Sequence, residues 1–365
     1  MKTPHSRALL SLVAALALPA VAALAPYGSA LALHGTALAA EPEVAKLAAG
    51  PEIVKLATLA PDGSVWHKVL KDLELNWSRE TQGRAALRIY PGGVAGSEPD
   101  MVRKMRIGQL HAAAITAGGL TSIDEAFEIF GIPMFFESYE ELFYVLDRME
   151  PVLKKRLEAK GFILLNWGHG GWVHFFTRQP VQSVADMKKL KIYVSAGDDR
   201  MVQLWKQNGF QPVALAETDI MTGLQTGMID ALPTPPLAAL YLQWFRSTPY
   251  MVYGGLGPLV GGLVVTRRAW DRISEADRVR LLAACQKAER RLATGIPGQD
   301  TSAVRQMEQR GLKVVHLKPE SEAEWRTAAE AFAMKMRGSM VPVDVLDLAT
   351  RERDAFRRLS GRSQR

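Results

Sequence analysis

Residues 186–236 read DMKKLKIYVSAGDDRMVQLWKQNGFQPVALAETDIMTGLQTGMIDALPTPP. Leu190 to Val194 form a short β-type run, and a helical pattern follows it as far as the turn at Asn208 and Gly209. A second short strand, a second helix and a third apolar run complete the stretch. Strands alternating with helices at this spacing describe a βαβα unit, so the fold class expected is α/β.

The neighbouring sequence extends this pattern in both directions. A first α/β block is expected over residues 52–171. Residues 52–59 alternate as a strand, and Trp66, Val69, Leu70, Leu73 and Trp77 share one face of a helix over 66–80. Strands are expected at 85–90, 112–116 and 162–167, with helices at 100–110 and 139–160, the latter stopped by Gly161. Beyond residue 236 a strand is expected at 261–266 and a long helix at 274–312. Gly295-Ile296-Pro297-Gly298 interrupts that helix, because proline removes a helix hydrogen bond and glycine costs backbone entropy; a kink or break is expected there. A last strand at 312–317 precedes helices reaching to about residue 358.

The chain has 365 residues and a formal charge of +7. Lys2 and Arg7 precede a nearly continuous small apolar run from Ala8 to Leu24, and Ala37-Leu38-Ala39 supplies an A-x-A cleavage pattern. Residues 1–40 are therefore expected to be a cleavable signal peptide, which makes the mature protein periplasmic. Their removal takes away two basic residues and no acidic ones, lowering the charge to +5. The remaining basic residues are scattered or gather late, without the basic stripe and interleaved aromatics that nucleic acid requires, so no nucleic-acid partner is expected. Cys285 is the only cysteine, so no intramolecular disulfide can form; a small buried residue on a helix is expected.

Several motifs are weaker than they look. Trp167-Gly168-His169-Gly170-Gly171 is superficially similar to an esterase oxyanion loop, yet no G-x-S-x-G elbow exists in the chain, and structural glycines at a crossover explain it better. Gly254-Gly255-Leu256-Gly257 lacks dinucleotide spacing, and Pro258 follows it. The seven histidines form no H-x-x-x-H pair. No catalytic residue, metal site or cofactor is expected.

Taken in order, the motifs resemble the solute receptors of TRAP transporters (tripartite ATP-independent periplasmic transporters). The family's D-x-K-G-L-K-I-R-V is similar to Asp186, Lys188, Leu190, Lys191, Ile192 and Val194. Its G-x-x-P-V-P is similar to Gly209, Pro212 and Val213. Glu217, Leu224, Gln225, Thr226, Gly227 and Asp230 follow its E-x-x-x-A-L-Q-T-G-x-x-D-G. Pro91-Gly92-Gly93 with Gly96 and Glu98, then Ile132-Pro133-Met134-Phe135-Phe136, and Thr177 to Pro180, continue the likeness over about 54–315.

The resemblance implies a two-lobed periplasmic binding protein with a hinge and a ligand cleft between the lobes. Lobe I would comprise 52–171 and 261–298, lobe II 172–260 and 299–358, and 359–365 would be a flexible tail. It also implies a long helix spanning both lobes, a small organic ligand, and TRAP-type integral membrane subunits as partners. A sensor for a membrane receptor and an exported hydrolase are the alternatives.

Three positions depart from the family. Its carboxylate-clamping arginine is replaced by Tyr193, a second arginine by Val173, and an asparagine by Thr234. The site expected from the resemblance gathers Trp66, His67, Trp172, Val173, Tyr193 and Thr234. Arg178 or Arg200 is the cation that would take over the clamp if the ligand were acidic. A planar guanidinium meets a carboxylate through two parallel hydrogen bonds, which a tyrosine cannot do. The ligand is therefore expected to be less polar than a dicarboxylate or sugar acid.

Overall fold

A computed structural model describes residues 50–361; the expected signal peptide and the end of the tail lie outside them. The chain starts with β1 (Glu52–Thr58), α1 (Val65–Glu80), β2 (Ala85–Tyr90), α2 (Glu98–Arg106), β3 (Ala112–Thr116) and a short α3 (Ala117–Thr121). After a 3-10 segment come α4 (Tyr139–Ala159), the long β4 (Phe162–Thr177), α5 (Val184–Met187) and β5 (Lys191–Ser195). Then follow α6 (Asp199–Gln207), β6 (Gln211–Leu215), α7 (Ile220–Thr226), β7 (Ala231–Thr234) and α8 (Pro236–Tyr241). The chain closes with the long β8 (Tyr250–Thr266), α9 (Arg267–Trp270), α10 (Glu275–Glu308), β9 (Lys313–His316), α11 (Pro319–Met336) and α12 (Val343–Leu359). The βαβα reading of 186–236 matches β5, α6, β6, α7 and β7 in sequence.

Nine strands form one mixed sheet in the order β2-β1-β3-β8-β4-β7-β5-β6, with β9 beside β8. β4 and β8 run antiparallel along most of their lengths and link the two ends of the sheet. The C-terminal part of β8 pairs with β3, its N-terminal part pairs with β9, and the C-terminal part of β4 pairs with β7. Each long strand thus belongs to both halves, and it is longer than the six residues expected for it from sequence. The glycines at the crossover explain the shortfall, since they break the apolar run without ending the strand. Register shifts fall between His169 and Gly171 and again between Val173 and Phe175.

Apolar clusters occupy both faces of the first half of the sheet. On one, Val54 and Leu56 of β1 meet Leu73 and Trp77 of α1 and Cys285 of α10. On the other, α2, α3 and α4 cover Ala113, Leu164 and Val264. In the second half, Phe176, Leu224, Leu232 and Met251 enclose Met307, near the far end of α10. α10 accordingly spans both halves. α12 packs against α4, with Tyr144 and Phe356 at 5.3 Å and Arg357 bound to the buried Glu141 at 2.6 Å. α11 packs against α5.

Of the kink or break expected at Gly295–Gly298, the break is not present: α10 continues through Pro297. Packing outweighs the proline. Ile296 is fully buried beside Leu292, Ala303 and Val69. One turn on, the buried Asp300 accepts from Trp172 N at 2.9 Å and Leu237 N at 3.1 Å, tying α10 to β4 and α8. Burial raises the Asp300 pKa to about 6. Cys285 is fully buried on the same helix, and burial pushes its thiol up to about 12.

Candidate functional site

Where β1 and β3 end, the molecule opens into a cavity of about 980 Å³, counting its mouth. Ser64 caps α1 by accepting from His67 N, so the helix starts just after the β1 loop and turns Trp66, Val69, Leu70 and Leu73 toward the sheet. Ala288 and Leu292 of α10 and Leu263 of β8 complete an apolar enclosure. The paired Gly168 and Gly261 leave part of the wall without side chains. Among the described residues lining the cavity, none is Lys or Arg.

Its polar groups are few. Glu98, 3% exposed, accepts from Thr116 N at 2.7 Å and Thr116 Oγ1 at 2.6 Å. Burial raises its pKa to about 7, and Glu217 adds to the shift. Asn166 pairs with Leu263 across the β4–β8 ladder, and cross-strand partners share a face, so its side chain lies on the cavity side. Its Nδ2 donates to Trp167 O at 2.8 Å, whereas its Oδ1 is buried with no hydrogen-bond partner. His169 also lines the wall; its ring packs edge-on to Phe143 at 5.0 Å, its Nδ1 is buried with no hydrogen-bond partner, and burial lowers its pKa to about 4.

Of the residues expected at the site, only Trp66 lines this cavity. Its indole N–H donates to His169 O at 3.1 Å, and its ring lies 6.1 Å from Tyr241. His67 is occupied in its own loop: Nδ1 accepts from Gly63 N at 3.1 Å and lies 2.9 Å from Asp62. Trp172 packs edge-on to Tyr139 at 5.2 Å, and Val173 pairs with Gly257 in the ribbon. Thr234 is buried in β7 opposite His174.

Tyr193 packs with Val213 and Leu215 in the second-half core, and its hydroxyl bonds Ser195 near Glu217 and Glu98. Burial pushes that hydroxyl's pKa upward. Ser195 in turn donates to Glu217. The two cations considered as substitute clamps are committed elsewhere. Arg178 donates to Leu224 O and lies 3.5 Å from Asp230. Arg200 reaches Glu125 at 3.3 Å and Ser339 O at 3.2 Å.

Sequence reading missed Asn166 and the aliphatic wall. A lone amide within Phe162-Ile163-Leu164-Leu165-Asn166-Trp167 was the available signal for Asn166. Val69, Leu70 and Leu73 carried no signal beyond that of a core helix face. Among the described residues no cluster suited to a metal is found, and no helix is long and apolar enough to cross a membrane.

Comparison with known proteins gives one consistent neighbourhood. Residues 56–338 match the bacterial extracellular solute-binding protein, family 7. A solute-binding protein of Chromohalobacter salexigens is 25% identical over 229 residues, covering 60% of this chain and 66% of that protein. The C4-dicarboxylate-binding periplasmic protein DctP of Rhodobacter capsulatus is 24% identical over 295 residues, 80% of this chain and 87% of its own. The chain spans less than two thirds of several curated relatives, among them YiiZ of Salmonella typhimurium at 54%. In structure, the pyroglutamic acid receptor DctP7 of Bordetella pertussis superposes with a TM-score of 0.76 at 19% identity, over 82% of this chain and 99% of that one. A TRAP periplasmic solute-binding protein of Chromohalobacter salexigens with bound D-glucuronate gives 0.76 at 20% identity, over 83% and 99%.

Proposed function

The chain belongs to the bacterial extracellular solute-binding proteins of family 7, and on that premise we propose that it is the periplasmic receptor of a TRAP-type transporter for a ligand less polar than a dicarboxylate or sugar acid. The observation that carries this reading is the cavity wall, which is largely aliphatic and includes neither Lys nor Arg. Magnitudes favour the same conclusion. A carboxylate taken into such a cavity without a cation costs several kcal/mol. An aromatic body burying about 200 Å² instead gains about 5 kcal/mol at about 25 cal/mol per Å². The acids named for DctP of Rhodobacter capsulatus and DctP7 of Bordetella pertussis would find no counter-charge here.

In this account the ligand is held between the α1 side of the molecule and the β4–β8 ribbon, and closure is a hinge motion. The ribbon and α10 belong to both halves, so they are the elements that would bend. Closure follows from contacts that the ligand makes better in the closed state than in the open one. The receptor then presents its ligand to integral membrane subunits and performs no chemistry itself. Titration calorimetry of the mature protein with succinate and with D-galacturonate tests the reading. Neither compound is expected to bind tightly; submicromolar binding of either one contradicts it.

A further inference from the structure

The cavity carries a polarity of its own that apolar walls alone do not explain. Asn166 is 8% exposed, and its amide orientation is set because Nδ2 donates to Trp167 O. Its Oδ1 is left as a buried acceptor with no partner. An unmet carbonyl in such surroundings costs free energy, and a ligand that donates to it recovers that cost on binding. Glu98, Thr58 and His169 are the other polar residues buried in the wall, and both oxygens of Glu98 accept hydrogen bonds from Thr116. Asn166 thus offers an acceptor oxygen, as does Glu98 when ionised, and no lysine or arginine lines the cavity beside them.

We infer that the ligand is a largely apolar molecule bearing one hydrogen-bond donor, a hydroxyl or an amine and not a carboxylate, whose donor meets Asn166 Oδ1 while its body fills the space between α1 and α10. This inference rests on the proposal that the cavity is the ligand site. The bare stretch of wall at Gly168 and Gly261 sets where the body can lie. A Cβ added at Gly168 would come no closer than 3.5 Å to other atoms, so a larger side chain there projects into the cavity without a clash at its base. One added at Gly261 would lie 2.5 Å from Ile115 O, so that glycine is required by the close approach of β3.

Four compounds of one shape test the inference by calorimetric titration of ligand-stripped mature protein. They are 2-naphthalenemethanol, 2-naphthylmethylamine, 2-methylnaphthalene and 2-naphthoate. At least one of the two donor compounds is expected to bind about tenfold more tightly than the methyl compound, with the carboxylate weakest. A preference for the alcohol alone assigns a neutral donor; a preference for the amine that is lost in Glu98→Gln assigns an ammonium paired with Glu98. Asn166→Leu is expected to remove the advantage of the donor compounds while 2-methylnaphthalene still binds. Gly168→Val is expected to weaken all of them by filling the space.

Donor compounds that bind no better than 2-methylnaphthalene overturn the inference and leave the less-polar reading in place. Tightest binding by 2-naphthoate overturns that reading itself. Binding unaffected by Gly168→Val, or no binding by any of the four, also overturns the inference.

Discussion

Glu98 is the residue whose chemistry is most exposed to experiment. Its carboxyl titrates at about 7 instead of 4.5 in the folded protein, as does that of Glu128, both because burial penalises the charged form. A carboxyl with a raised folded pKa binds more protons in the folded state over that interval, so its contribution to stability falls as pH rises through it. His169 and His174 act oppositely: burial lowers them from 6.5 to about 4, so their contribution to stability grows as pH rises from about 4 through 6.5. The contribution of Glu98 to stability is therefore expected to fall as pH rises from about 4.5 through about 7, and Glu98→Gln is expected to remove that part of the fall in melting temperature. An undiminished fall in the variant would show that Glu98 is not its source. Tyr193 and Val173 yield a second prediction at this scale. The double change Val173→Arg with Tyr193→Arg is expected to leave succinate unbound, because an arginine at 193 would lie beside Glu217 and Glu98. Calorimetric titration of the double variant reads it, and tight succinate binding would contradict the placement of Tyr193.

At the scale of elements, α10 shows packing overriding a local signal. Proline inside a helix removes one hydrogen bond, and the sequence pattern around it reads as an interruption. The buried Ile296 and Asp300 on either side hold the helix through that point. Pro297→Ala is expected to raise unfolding stability by about 1–3 kcal/mol, read from the urea midpoint. A decrease would mean that the proline fits its position without cost. Ile296→Ala is expected to lower stability by about 2–5 kcal/mol in the same measurement.

The α/β alternation and the expected short strands of the first block were legible in the sequence because each carries its own apolar period, whereas the continuity of α10 through Pro297 was not. The lengths of β4 and β8 were not. Their glycine-rich middles lack that period, and their pairing depends on residues distant along the chain. Of the cavity proposed as the ligand site, only Trp66 was legible in the sequence. Val173, Tyr193 and Thr234 mark where a carboxylate clamp would stand in a relative, whereas the cavity lies under α1, a place that only the packing of α1 against α10 and β8 creates.

For the whole molecule, the fold divides two tasks. The ribbon and α10 join the halves, while the cavity sits beside the ribbon with walls from α1, α10 and the ends of β1 and β3. On the proposed reading, a ligand lodged there would touch the elements that a hinge motion displaces, and binding and closure would be coupled through shared residues. The central claim is that this receptor takes a ligand without a carboxylate. Mass spectrometry of the mature protein, first native and then after organic-solvent extraction, tests it most directly. The account predicts an uncharged or amine-bearing, largely apolar species released in a one-to-one ratio. A dicarboxylate or sugar acid released in that ratio would contradict it.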